Sequence, residues 1–275
     1  MSNNTYSQLN NKLTPEQETL FLTLYGKAID FRAKKSILND KFAQDIIERV
    51  GIDLSKFADS NNRIVAVRAK QFDDWANDFI SKNKYSTILN LGCGLDTRYS
   101  RIKPPAFIQW FDLDFPDVIE LRKSFFDENQ QYKMIAQSVT AKDWIFQIPK
   151  DTPILIIAEG LFSYLSEDEV KTLLNTLTDY FKRGEILFNI VSPASVKKTK
   201  NNITNKTGAV QKWLLDDVSA VDALDEKLNR IKVLPLFKSK YIKKLPFKFS
   251  LLLKLANLDS KYKNMIQLLH YEFGR

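Results

Sequence analysis

The sequence predicts an α/β protein, doubly wound around a mainly parallel sheet, and three features carry that prediction. Four short apolar runs are continuous rather than alternating, stretches of helical periodicity separate them, and a glycine turn follows the first run directly. A strand covered by helices on both faces has no solvent side to mark with polar residues, so an unbroken apolar run is its signature.

Residues 1–82 are helical in pattern and contain no convincing strand. LFLTLYGKAIDFRAK and RIVAVRAKQFDDWANDFIS read as amphipathic helices, expected to pack on the sheet and cover its working edge. The four apolar runs are TILNLG from Thr87, FIQWFDLD from Phe107, PILIIAEG from Pro153 and EILFNIVS from Glu185. A helix is expected from Pro116, then a weaker strand, YKMIAQ. The clearest helix follows the third run: Ser166 with Glu169 forms a capping box, and Val170, Leu173, Leu174, Leu177 and Phe181 share one face. Near the C-terminus, MIQLLHYEF reads as a last strand.

Composition excludes several classes. With 44% apolar and 27% charged residues the 275-residue chain is expected to fold as a soluble globular protein, most simply as one domain. Cys93 is the only cysteine, so no intramolecular disulfide forms, and no Cys/His cluster offers a metal site. The polar N-terminus and the lack of a long apolar run point to a cytoplasmic protein without a membrane span. The net charge of +8 is concentrated late, in KKTKNNITNKTG and between Lys227 and Lys263. Lysines interleaved with core-type residues read first as solvated faces, with an acidic partner or a membrane surface as alternatives. The stretch Ser195–Gly208 reads as an exposed loop, with a lid over the site as the sharper possibility.

The chemistry gathers at the ends of the apolar runs, the edge at which open α/β sheets bind ligands. NLGCGLDTR places Gly92, Cys93 and Gly94 where the chain must turn tightly and let a ligand approach. A dinucleotide site would carry a third glycine where Thr97 stands; S-adenosylmethionine (SAM), which has no pyrophosphate, does not need it. FDLDFP sets Asp112 and Asp114 on one side of a strand end, about 20 residues on, where one acid can accept from ribose hydroxyls and the other can serve as a helix cap or be solvated. Asp114 is favoured for the ribose. Glu159 in AEGLFSYL needs a partner if buried: an ammonium of the ligand, or Arg68 or Arg98. Tyr164 can line an acceptor pocket or simply pack. His270, the only histidine, is given no role.

Taken together, NLGCGLDTRYSRI, FDLDFPDVIELRK and AEGLFSYLSEDEV resemble, in order and spacing across residues 20–191, the leucine carboxyl methyltransferase family. That family includes protein phosphatase carboxyl methyltransferases and enzymes similar to the tetracenomycin polyketide O-methyltransferase. The resemblance implies a class I, Rossmann-like SAM-dependent methyltransferase fold, with seven strands, the last antiparallel, under an N-terminal helical cap. It implies one domain over 1–275, comprising a cap at 1–82, a SAM-binding core at 83–192, and acceptor-side and C-terminal strands at 193–275.

Roles follow from the same resemblance. Arg68 would hold the SAM carboxylate with help from Lys27; Gly92, Cys93 and Gly94 would line the cofactor; Asp114 would take the ribose and Glu159 the ammonium. Ser138 and Val139 stand where relatives commonly carry an Asp-Leu pair that contacts adenine, so adenine recognition departs from the pattern. Arg98 and Tyr164 are candidates for orienting the acceptor. The implied reaction is O-methylation of a small, polyketide-like or carboxylate acceptor; a carboxylate is ionised at pH 7 and needs no base, whereas a phenol does. A nucleic-acid methyltransferase and a non-catalytic SAM-binding protein are the alternatives. The acceptor and the oligomeric state are not legible.

Overall fold

In the computed structural model, residues 14–50, 63–198 and 207–274 are described. Three helices, α1 (Pro15–Arg32), α2 (Lys41–Val50) and α3 (Ile64–Lys82), precede the sheet. The alternating part follows as β1 (Ser86–Leu91), α4 (Arg98–Ile102), β2 (Ile108–Asp114), α5 (Pro116–Lys123), β3 (Tyr132–Ala136), β4 (Ile154–Ala158), α6 (Glu167–Tyr180) and β5 (Gly184–Val191). The chain ends with α7 (Pro193–Lys198), α8 (Ser219–Asp222), β6 (Asn229–Pro235), α9 (Phe247–Ala256), α10 (Ser260–Lys263) and β7 (Ile266–Phe273).

The seven strands lie in the order β3-β2-β1-β4-β5-β7-β6. β1 to β5 pair in parallel, and β7 runs antiparallel between β5 and β6, from Gly184 opposite Phe273 to Val191 opposite Ile266. The apolar runs therefore form the sheet they predict, and the side-chain alternation of each strand feeds two cores. Ile88, Trp110, Leu155 and Leu187 pack under α1, α3 and α5; Leu89, Phe111, Ile156 and Phe188 pack under α6. This is a class I methyltransferase fold with an N-terminal helical cap.

The capping box at Ser166 is formed: Glu169 N–H donates to the serine oxygen at 3.3 Å and Ser166 N–H to the Glu169 carboxylate at 2.7 Å. A second box, Thr14 with Gln17, starts α1. The segment Lys227–Lys263, read as lysine-bearing faces, also contains β6. Residues 229–232 are exposed and the strand is kinked by a bulge between Arg230 and Lys232, both features of an edge that resists further pairing. Of the stretch read as an exposed loop, Ser195–Lys198 belongs to α7, and 199–206 lie outside the described residues.

Gly184 sits where β4, β5 and β7 meet, and a β-carbon there would lie 2.5 Å from the Ile154 carbonyl oxygen and 2.9 Å from the Phe273 ring. Gly184→Ala is expected to lower unfolding free energy by about 1–3 kcal/mol. Urea denaturation followed by tryptophan fluorescence measures it, and an unchanged midpoint would refute the packing described.

Candidate active site

The strand order places the topological switch between β1 and β4, and a cleft of about 590 Å³ opens there at the carboxyl ends of the strands. Turns after β1, β2, β3 and β4 form its floor, and α1 with Arg68 of α3 forms its roof. Lys27, Arg68, Gly92, Cys93, Gly94, Asp114, Ser138, Val139, Glu159 and Tyr164 all line this cleft.

The glycine turn is fixed from both sides. Gly92 and Gly94 have φ of +61° and +49°, and a β-carbon on Gly92 would come within 3.0 Å of Leu161. Only glycine adopts this backbone without strain. Gly94 N–H donates to Asp114 Oδ2 at 2.7 Å, and Phe115 N–H to Oδ1 at 2.8 Å. Burial raises the Asp114 carboxyl to about 6 against the pull of those two amides. Asp112 is neither a helix cap nor solvated. Fully buried, it takes the Arg122 guanidinium at 2.5 Å, the Tyr132 hydroxyl at 2.6 Å, Trp110 Nε1 at 2.9 Å and Asn90 Nδ2 at 3.1 Å, while Arg122 also donates to the Gly94 carbonyl at 2.9 Å. Asp112 thus holds the turn and Asp114 faces the cleft.

Glu159 lies at the hub of a second network. Arg68 Nε donates to Oε1 at 2.8 Å and Arg98 to Oε2. Arg98 also pairs with Asp73 at 2.8 Å and Asp96 at 2.9 Å; Arg101 joins Asp73, Asp96 and Asp40 at 2.8–3.0 Å; Lys27 meets Asp96 at 2.5 Å. Four cations face four carboxylates. Burial works to raise the Asp96 and Glu159 carboxyls, but the cations outweigh it: Asp96, beside Arg101, Arg98 and Lys27, sits well below the carboxylate range, and Glu159, beside Arg68 and Arg98, sits below it.

One expectation is corrected here. Arg98 does not orient an acceptor: it is 0% exposed, does not line the cleft, and spends its guanidinium on Asp73, Asp96 and Glu159. Tyr164 stays at the cleft, and burial raises its phenol, which keeps it protonated and a donor. His270 is remote from the lining and binds Glu185 at 2.6 Å beside Trp75, a packing role. Ser195 and Val196 of α7 line the cleft as well.

The model of the family described as leucine carboxyl methyltransferase matches residues 21–178. The chain is 36% identical over 205 residues to the tetracenomycin polyketide synthesis O-methyltransferase TcmP of Streptomyces glaucescens, covering 74% of this chain and 76% of that protein. The chain belongs to the leucine carboxyl methyltransferase family. It is a SAM-dependent methyltransferase. A second relative, the SAM-dependent methyltransferase dpfgK of Gibberella zeae, is 32% identical over 243 residues, 79% of this chain and 81% of that one. Among solved structures, a candidate methyltransferase of Thermobifida fusca superposes with a TM-score of 0.57 at 11% identity, over 91% of this chain and 94% of that chain, which shows the shared fold.

Within this leucine carboxyl methyltransferase family member, Ser138 is turned into its own loop, its hydroxyl 2.8 Å from that of Thr140 and accepting Thr140 N–H at 3.3 Å. Sequence reading gave no role to Asp40, Asp73, Arg101, Arg122 or Asn189. The first four form pairs that span 5 to 61 residues, and apart from Arg101 with Asp96 all of these span 10 or more. Asn189, 1% exposed on β5, lines the cleft, accepts Gly160 N–H at 2.8 Å and carries a buried Nδ2 with no partner.

Removing one carboxylate from the network leaves one positive charge uncompensated. Asp73→Ala, which takes one partner each from Arg98 and Arg101 and leaves the network one carboxylate short, is expected to cost about 3–5 kcal/mol in denaturant unfolding. The depressed Asp96 and Glu159 carboxyls add stability that is present above their unfolded values near 4 and is lost as pH falls through their lower folded values. Acid titration of wild type and Asp96→Asn, followed by circular dichroism, checks that sign: the variant should lose less on acidification.

Proposed function

We propose that this enzyme methylates an oxygen of a small-molecule acceptor, presented to it as an anion: a carboxylate or an acidic, polyketide-type phenol. One observation carries the reading. Asp114, the glycine turn and the Arg68–Glu159 pair open onto the same 590 Å³ cleft as Tyr164 and Lys212, so cofactor and acceptor groups share one space.

The residues fit SAM chemically. Asp114 keeps lone pairs on both oxygens for ribose hydroxyls after accepting its two amides, and Arg68 engages Glu159 through Nε, leaving its terminal nitrogens for a carboxylate. Glu159, held ionised, faces an ammonium, with Lys27 beside the same charges. The β1 turn supports the cofactor body, and Ser138 and Val139 border the adenine side. When bound, SAM supplies a methyl group on a positively charged sulfur, open to in-line displacement.

The chain's own work is then placement. Tyr164, kept protonated, can donate a hydrogen bond, and Lys212 supplies a positive charge, both suited to an oxyanion. No histidine lines the cleft among the described residues, and Glu169 is held in the capping box by Ser166. A carboxylate or an already acidic phenol needs no base. None of residues 227–263, which carry the lysine excess, lines the cleft, so the charge gives no support to a nucleic-acid acceptor. In this reading the chain is one methyltransferase domain with a cap at 1–82, core at 83–192 and acceptor side at 193–275, working in the cytoplasm. Among the described residues no helix is long and apolar enough to cross a membrane.

Calorimetric titration with S-adenosylhomocysteine should give micromolar binding that Asp114→Ala and Arg68→Ala each weaken by roughly tenfold or more. Because the accepting form of Asp114 is the ionised one and its carboxyl sits at about 6, affinity should be flat above pH 7 and fall as pH drops through 6. Asp114→Asn should remove that step. Absence of binding by the wild type would defeat the reading. With labelled SAM, aromatic carboxylates and acidic phenols should be methylated, and Lys212→Ala should raise acceptor KM while leaving cofactor affinity unchanged; turnover of neutral amines alone would point to a different acceptor atom.

A further inference from the structure

We propose that the face formed by α9 and the lysines around it docks this enzyme onto an anionic lipid surface. Residues 227–263 hold eleven lysines and arginines against one acid, Asp259, a net of +10 that exceeds the +8 of the whole chain. Lys227, Arg230 and Lys240 pair with Asp179, Asp222 and Asp74 outside the segment; the remaining excess is local, and an apolar feature lies in its midst.

α9 is amphipathic in reverse. Ser250 and Leu253 face the protein, while Phe247, Leu251 and Leu255 follow at i, i+4 and i+8 on the outside. Phe247 is 79% exposed and Leu255 57%, with Leu252 at 60% and Leu258 at 84% beside them. Five large apolar side chains in one patch are more than a monomer surface ordinarily leaves in water. Lys248 and Lys254 border the stripe.

At one end of the stripe a basin of about 460 Å³ opens between α9 and the chain following α1. Lys34, Lys35, Lys243, Lys244 and Lys254 line it with Phe247 and Leu251, and no acid does. Arg63, also in the lining, is committed to Asp30 at 2.7 Å. Lys244 donates to the Ser36 carbonyl at 3.2 Å, so the backbone fixes that ammonium in place.

Unpaired ammonium groups around an apolar stripe match the two layers of an anionic bilayer surface: acyl boundary for Phe247 and the leucines, phosphates for the lysines. A duplex nucleic acid would use the lysines but leave the stripe in water. An acidic protein would need its own apolar groove, for which nothing in this face supplies specific polar contacts. The helix would lie in the interface plane, since ten residues cannot cross it.

The test is co-sedimentation of the full chain with phosphatidylcholine vesicles, with and without roughly 30% phosphatidylglycerol. Binding is expected only to the anionic vesicles, weakening as salt is raised, and Phe247→Glu and Leu255→Glu should each reduce it roughly tenfold. Both side chains are exposed, so thermal midpoint and S-adenosylhomocysteine affinity should stay unchanged, showing an intact fold. No binding to anionic vesicles at low salt, or binding indifferent to both substitutions, overturns the proposal. So does a dimer, seen by light scattering and dissolved by the same substitutions without vesicle binding, which would assign the face to a second copy. Tighter binding to a DNA duplex than to vesicles, unaffected by the substitutions, would overturn it too.

Discussion

The site depends on eight charges that balance, four of them buried and four partly so. Each ion taken from water costs several kcal/mol, and the cost is recovered only when partners of opposite sign sit within hydrogen-bond reach. Lys27, Arg68, Arg98 and Arg101 meet Asp40, Asp73, Asp96 and Glu159 in one connected set. Its members come from α1, the approach to α2, α3, the turn leading into α4, α4 itself and the end of β4. The network is thus the joint between cap and sheet. Apolar side chains of similar volume would seal that joint at least as well. An ionic joint does something they cannot: it leaves Glu159 and Arg68 charged, oriented and facing the cleft before any ligand arrives, with little reorganisation left for binding.

A smaller device repeats this logic at the adjacent strand. Asp112 and Asp114 are two residues apart and point the same way, yet one is saturated by Arg122, Tyr132, Trp110 and Asn90 while the other accepts only two backbone amides. The saturated acid carries Arg122 to the Gly94 carbonyl, and the open acid takes the Gly94 amide. Both polar groups of one glycine are thereby fixed by the two acids. The chain holds the turn rigid without placing any side chain in the space a ligand needs.

What was legible in the sequence is what local backbone physics enforces. Strands β1, β2, β4 and β5 announce themselves because burial on both faces leaves no polar position, and Gly92 and Gly94 because no other residue adopts their φ comfortably. β6 escaped because an exposed edge strand carrying Arg230 and Lys232 has neither an apolar run nor clean alternation. The cleft residues were placed, and Arg68 and Arg98 were named as partners for Glu159, but Asp40, Asp73 and Arg101 were not, since Arg101 to Asp40 spans 61 residues and Arg98 to Asp73 spans 25. Arg98 shows the consequence. The sequence allowed it two roles, partner of Glu159 or cation facing the acceptor, and the three carboxylates that surround it decide for the first.

The two basic residue types divide the molecule's electrostatics between them. Arginine, with a planar fork of donors and weak hydration, fills the buried networks around Asp73, Asp96, Asp112 and Glu159. Lysine, strongly hydrated and flexible, supplies nearly all of the unpaired charge in 227–263. Net charge records only the second population, because the first is cancelled where it stands. A value of +8 therefore says little about the chemistry of the cleft, whose ions sum to near zero, and much about an outer face far along the chain. Charge read from composition locates a surface here, while the reaction depends on charges that composition cannot see.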